Sequence, residues 1–148
     1  MAETLVVRAE ISELARVYDW ADALGRRLAL PRSTWFAIRL CIEEALSNII
    51  RHGFAGVQDA VPPNKDVRLA LEPVDQAIIM TIEDHGIAFD PLGVAAPAVP
   101  TPITGAPTGG WGIHLMRQFA QRLAYERRDG VNRLTVCFPN PAAQPRTV

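Results

Sequence analysis

Leu40-Cys41-Ile42-Glu43-Glu44-Ala45-Leu46-Ser47-Asn48-Ile49-Ile50-Arg51-His52-Gly53 decides how this chain folds. At about 100° per residue, Ile38, Ile42, Ala45 and Ile49 fall on one stripe of a helix, and Leu46 and Ile50 widen it. Such a stripe is expected to face a sheet. Glu44, Asn48 and His52 recur at every fourth position and form a second stripe along one edge of the apolar arc. A carboxylate and an amide at that edge are neither good core residues nor fully in solvent. From the helix alone two readings stay open, a solvated polar edge or a row of functional groups at a cleft.

Upstream, residues 4–11 carry Leu5-Val6-Val7 and then alternate, as a strand would. Ser12 is a good N-cap, with Glu13 placed to favour the helix dipole. A helix through Leu14, Val17, Tyr18, Ala21, Leu24 and Leu28 is expected to end before Pro31, and the central helix to begin at Arg32 or Ser33 and stop at Gly53. Downstream of a loop with Gly56, Pro62 and Pro63, residues 66–72 and 76–83 read as two strands joined by Pro73-Val74-Asp75. Residues 91–109 are rich in proline and small side chains and fit neither a helix nor a central strand. A disordered linker has that composition too, but too little chain follows for a second domain, so a lid over a ligand is the favoured reading. A helix from the Gly109 cluster to about Arg122 is expected next. Strands over 123–128 and 133–138 then flank Asp129-Gly130, a strong hairpin signal.

At 148 residues the chain is expected to be one domain over residues 1–140, with a flexible tail at 141–148. Hydrophobic residues at 49% and charged residues at 21% fit a soluble globular protein. A formal net charge of -1, with no strip of Lys or Arg, argues against nucleic acid as a direct partner. Cys41 and Cys137 sit in apolar segments without metal-ligand spacing and read as buried thiols in a reducing compartment. The chain begins without a basic start and apolar run, and holds no apolar stretch of membrane-spanning length. A cytoplasmic location with no membrane partner is the expectation.

Three stretches, weak singly, make sense together. Asp84-His85-Gly86 alone could be a strand-ending turn, and Gly109-Gly110-Trp111-Gly112 alone a flexible helix entry. Glycines before a helix let backbone N–H groups approach phosphates, where the helix N-terminus adds positive potential. An aspartate at a buried strand end can accept a hydrogen bond from an exocyclic amine, with the following glycine, Gly86, leaving room for the ring. Glu44 and Asn48 then offer a general base and an oxygen ligand for a hard cation such as magnesium. These are the parts of a nucleotide site.

The order Glu44-Ala45-Leu46-Ser47-Asn48-Ile49-Ile50-Arg51-His52-Gly53, then Asp84-His85-Gly86-Ile87-Ala88-Phe89-Asp90-Pro91, then Gly109-Gly110-Trp111-Gly112-Ile113-His114-Leu115-Met116 resembles the N, G1 and G2 boxes of the Bergerat-fold (GHKL) ATPases. Within them the chain is most similar to the bacterial anti-sigma-factor serine/threonine kinases of partner-switching systems. The resemblance covers nearly the whole chain, including Tyr125-Glu126-Arg127-Arg128-Asp129-Gly130 near its end. It implies an α/β two-layer sandwich: a mixed, mainly antiparallel sheet with helices on one face, and ATP held between helices and lid.

Carried over by position, the resemblance implies Glu44 as catalytic base and Asn48 as the magnesium (Mg2+) ligand. It makes Asp84 the reader of the adenine amino group, and Gly86 the glycine beside the ring. Thr108, Gly109, Gly110, Trp111, Gly112 and Ile113 fall on the phosphate side. His52 follows the first box at a nucleotide-side position, although a helix-end histidine is the simpler reading of it. Ala88 stands where the second glycine of an Asp-x-Gly-x-Gly box is common, and Thr108 where some relatives carry a basic residue. The implied function is an ATP-dependent protein serine/threonine kinase that acts as an anti-sigma factor and phosphorylates a serine of a small anti-sigma-factor antagonist. A sigma factor or other regulator is the sequestered target, and a homodimer fits the family. The alternative is a nucleotide-gated protein-binding module whose catalysis is vestigial. Hydrolytic relatives couple ATP to large further domains, and sensor histidine kinases tend to carry asparagine at the Glu44 position.

Overall fold

The computed structural model describes residues 1–56, 62–93 and 111–141. Five strands form one sheet: β1 (Glu3–Arg8), β2 (Asp66–Val74), β3 (Ala77–Asp84), β4 (Arg122–Arg128) and β5 (Val131–Pro139), in spatial order β1-β2-β3-β5-β4. Every described pairing is antiparallel, so the sheet expected to be mixed and mainly antiparallel is antiparallel throughout among the described residues. Helices α1 (Leu14–Arg27), α2 (Arg32–His52) and α3 (Trp111–Phe119) complete the two layers.

The expected stripe on α2 is the one that meets the sheet. Ile38, Ile42, Ala45 and Leu46 are buried, while Ile49 and Ile50 pack at the margin of the core. On β3 the alternation is strict: Ile78, Met80, Ile82 and Asp84 all face inward. Their neighbours on β5 do the same, in the cross-strand pairs Ile78–Phe138, Met80–Val136, Ile82–Leu134 and Asp84–Asn132. A period of two thus carries both strands from an apolar core to a polar end. Each fully buried Ile, Met or Phe contributes about 1.5–3 kcal/mol. An exposed ion pair such as Arg8–Glu10 contributes no more than about 1 kcal/mol. The core therefore sets where α2 lies, and α2 sets where Glu44 and Asn48 lie.

Three contacts lock α2 in place. The Thr34 hydroxyl donates to the Pro139 carbonyl at 2.9 Å, pinning the helix start to the end of β5. Trp35 Nε1 donates to Asp22 at 3.1 Å, tying α2 to α1, where Gly25 leaves room for the indole. Arg39 lies over the Tyr18 ring at 5.1 Å.

Some boundaries differ from the expectation. Ser12 does not cap α1; it sits inside a short 3-10 turn, Ile11–Glu13, that precedes the helix. β1 stops at Arg8 because the chain bends there, with Glu10 N–H donating back to the Arg8 carbonyl at 2.8 Å. The β2–β3 strands run closer to their turn than Pro73 suggests. β1 pairs only as far as Leu71, so the N–H that Pro73 lacks faces no neighbour on that side. α3 ends at Phe119, short of Arg122, because Gln121 N–H already bonds the Cys137 carbonyl at 2.8 Å and draws the chain into the sheet. At the last hairpin Asp129 and Gly130 both have positive φ, 51° and 77°, as a tight two-residue turn requires.

Candidate functional site

A cavity opens where the C-terminal half of α2 passes over the ends of β3 and β5. Its walls include Ala45, Asn48, Ile49 and His52 from α2, Ile82 and Asp84 from β3, Asn132 and Leu134 from β5, Tyr125 from β4 and Met116 from α3. Ile87, Phe89 and Pro91 close one side. The lining is mostly apolar with a few convergent polar groups, the usual character of a small-molecule site. Its volume is about 50 Å³.

Asp84 is the polar group at the bottom. It is 7% exposed, and its Oδ1 accepts from Gly86 N–H at 2.8 Å and from Asn132 Nδ2 at 3.0 Å. Among the described residues its Oδ2 has no protein partner. That leaves an obligate acceptor for a donor from the cavity, which suits an exocyclic amine. Gly86 is forced by packing: a Cβ there would stand 2.5 Å from the Gly53 carbonyl oxygen and 3.0 Å from Asp84 Oδ1. Ile87 N–H donates to that same Gly53 carbonyl at 2.7 Å, so the turn after β3 is stitched to the end of α2.

Glu44 lies one helical turn before Asn48, half-buried and outside the cavity wall itself. Burial raises its pKa, the neighbouring Glu43 charge raises it further, and Arg51 opposes both. A carboxyl so placed holds a proton more readily than an ordinary glutamate, which suits a base that must accept one. Cys41, one turn further back, is pushed up to about 12 by burial and then by the Glu44 charge, so it is no nucleophile.

Of the sequence-predicted residues, Asn48, His52 and Asp84 reach one cavity, with Gly86 buried directly behind it. His52 is exposed at the end of α2, where both its helix-end and cavity-side readings place it. Ala88 is exposed and outside the cavity wall, and Ile113 is buried on α3. Trp111 and Gly112 enter only as the first residues of α3; Thr108, Gly109 and Gly110, and most of the lid expected over 91–109, lie outside the described residues. Among the described residues no three His, Cys, Asp or Glu side chains gather as metal ligands. With Asn48 on the wall, a magnesium ion would be held by one protein oxygen and by nucleotide phosphates and water, which is how that ion prefers to bind. The apolar walls and the open Asp84 oxygen likewise fit an adenine ring.

Sequence reasoning missed Tyr125, Arg127 and Asn132. Asn132 is 6% exposed, and its Nδ2 donates to Asp84 and to the Ile87 carbonyl at 2.9 Å. Its Oδ1 accepts from the Tyr125 hydroxyl at 2.6 Å and Arg127 Nη1 at 2.8 Å, and Arg127 Nη1 also reaches the Gly86 carbonyl at 3.0 Å. No signal in the sequence marked Asn132, because the strand expected over 133–138 begins two residues earlier, at Val131, and takes in a residue read as part of the turn.

A family model described as the histidine kinase-like ATPase domain matches residues 7–138. The chain belongs to the histidine kinase-like ATPase domain family. Within this family it is similar to the serine/threonine-protein kinase BtrW of Bordetella bronchiseptica, with 33% identity over 134 residues, 90% of this chain and 91% of that one. The RsbU and RsbW domains of Rv1364c from Mycobacterium tuberculosis superpose with a TM-score of 0.64 at 13% identity, over 95% of this chain and 32% of that one. The histidine kinase domain of a blue-light-activated kinase from Erythrobacter litoralis EL346 superposes with a TM-score of 0.51 at 20% identity, over 89% of this chain and 61% of that one. These two solved structures share the ATPase-domain fold, and this chain spans only part of each. A kinase-type ATPase of this family is what the sequence relatives support. No helix among the described residues is long and apolar enough to cross a membrane.

Proposed function

We propose that this chain is an ATP-dependent protein serine/threonine kinase and anti-sigma factor, which phosphorylates a serine of a small anti-sigma-factor antagonist. The observation that carries the reading is the convergence of Asp84, Asn48 and the apolar walls on one cavity, with Glu44 one turn along the same helix. Similarity to BtrW supports kinase chemistry in a chain of this length.

In this account Asp84 holds the base and Asn48 helps hold magnesium, which supplies charge neutralisation at the phosphates when bound. Glu44 takes the proton from the substrate hydroxyl. The serine oxygen bonds to the terminal phosphorus as the bridging phosphate bond breaks, and ADP leaves. Residues 1–140 act as the single kinase domain, 91–109 as its lid and 141–148 as a tail. The new phosphoserine carries about -1.5 to -2 charge beside carboxylates and nucleotide phosphates, so repulsion favours release of the product. A sequestered sigma factor, a homodimer and a cytoplasmic location complete the proposal.

Incubation with γ-labelled ATP, magnesium and the small regulators encoded beside this chain tests it, with phosphoserine on one of them as the expected product. Tight ATP-dependent binding of the antagonist with no transfer would instead establish the nucleotide-gated binding module, the reading that Ala88 and Thr108 keep in play.

A further inference from the structure

One row of residues crosses the inner face of the sheet: Val7 on β1, Val67 on β2, Asp84 on β3, Asn132 on β5 and Arg127 on β4. The row is apolar up to β2 and polar from β3 onward. At its centre Asn132 has both amide hydrogens and both oxygen lone pairs engaged. Three acceptors, Asp84 Oδ1, the Ile87 carbonyl and, at 3.4 Å, the Gly86 carbonyl, face its nitrogen; two donors, from Tyr125 and Arg127, face its oxygen. That pattern admits only one orientation of the amide.

We propose that Asn132 is a positioning residue for base recognition, one that turns Asp84 so that Oδ2 faces the cavity and thereby sets a preference for adenine over guanine. The proposal deepens the nucleotide-binding reading above and rests on it. Asp84 Oδ1 has two protein donors, Gly86 N–H and Asn132 Nδ2, and only the second comes from outside the turn that Asp84 itself begins. Without it the plane of the carboxylate is held only by its own turn and can tilt about χ2. With it the plane is fixed from two sides, and the second oxygen keeps one direction for a ligand. A carboxylate so fixed accepts from the 6-amino group of adenine and repels the 6-oxo group of guanine. Arg127 and Tyr125 hold Asn132 in turn, and Arg127 also holds the Gly86 carbonyl, so the β4–β5 hairpin frames the base site.

The test is titration calorimetry with ATP and GTP on the wild type, Asn132→Leu and Asn132→Asp, with circular dichroism to confirm folding. Removing the buried bond to a charged group is expected to lower the ATP-over-GTP preference about tenfold in Asn132→Leu. In Asn132→Asp the new carboxylate faces Asp84, with Tyr125 and Arg127 beside it and His52 across the cavity. Paired carboxylates share a proton at low pH and repel once both ionise. ATP affinity of Asn132→Asp is therefore expected to fall as pH rises, well beyond any drift of the wild type, while circular dichroism over the same pH range stays that of the folded protein. A wild type that prefers ATP, with folded variants that keep its preference and its pH profile, would overturn the role of Asn132 and leave Asp84 standing. A wild type that binds both nucleotides alike would overturn the reading of Asp84, and this proposal with it. Should Asn132→Leu fail to fold, the pH profile of Asn132→Asp alone decides, and one parallel to the wild type overturns the proposal.

Discussion

Asp84 and Asn132 stand opposite each other on adjacent antiparallel strands, and the amide of one donates to a single oxygen of the other at 3.0 Å. The pair closes a ladder whose other inward rungs are apolar, so a charge sits at the rim of the core with one oxygen held and one open to a cavity. Asp84→Asn replaces that open acceptor with a group that can also donate. ATP affinity is expected to fall about 10- to 100-fold and GTP affinity much less, read by calorimetry. An unchanged ratio of the two would remove Asp84 from base recognition.

Gly86→Ala places a methyl 2.5 Å from the Gly53 carbonyl, against backbone that cannot swing away. The turn must shift off the end of α2, at a cost of about 1–3 kcal/mol in urea denaturation, with weaker ATP binding in step. Wild-type stability in this variant would show that the turn is loosely packed.

Glu44 has its pKa raised by burial and by Glu43, so folding favours its protonated form. That contribution to stability is present below the unfolded-state pKa and is lost as pH rises through the higher folded-state value. Glu44→Gln removes it, and the variant should gain stability relative to the wild type as pH climbs from 4.5, the ordinary glutamate value, through the raised one. For catalysis the base must be ionised, so phosphoryl transfer should fail on the acid side at a higher pH than an ordinary glutamate would set. Denaturation curves and rate profiles over the same pH series check both signs.

Cys41 is fully buried, with its thiol pushed up to about 12. Iodoacetamide at pH 8 should leave it unmodified in the folded protein and label it after unfolding, as read by mass spectrometry. Rapid native labelling would mean that α2 opens locally.

Much of this was legible because one periodicity is clean: the 3.6-residue stripe on α2 names its buried face. The strand at residues 76–83 was legible as a strand, but its inward face was not, because Ala77 and Ile79 on the outward side are apolar too. The Asp129-Gly130 turn was equally plain. What stayed hidden needs register. Asn132 matters because β5 lies against β3 with residue 132 opposite 84, and Arg127 because β4 continues the same row. These strands are separated by about a third of the chain's length from Asp84 or paired across a hairpin, and no local pattern encodes which residue will face which. The end of α3 was misjudged for the same reason, since a bond from Gln121 to β5 ended a pattern that locally could have continued.

Phosphoryl transfer from γ-labelled ATP to a small antagonist protein, run side by side with the wild type and Glu44→Gln, tests the central claim most directly. The account predicts phosphoserine on the antagonist with the wild type, and loss of most transfer, about 100-fold or more, in Glu44→Gln, with ATP still bound at nearly wild-type affinity. Transfer at an equal rate by the two proteins would contradict it.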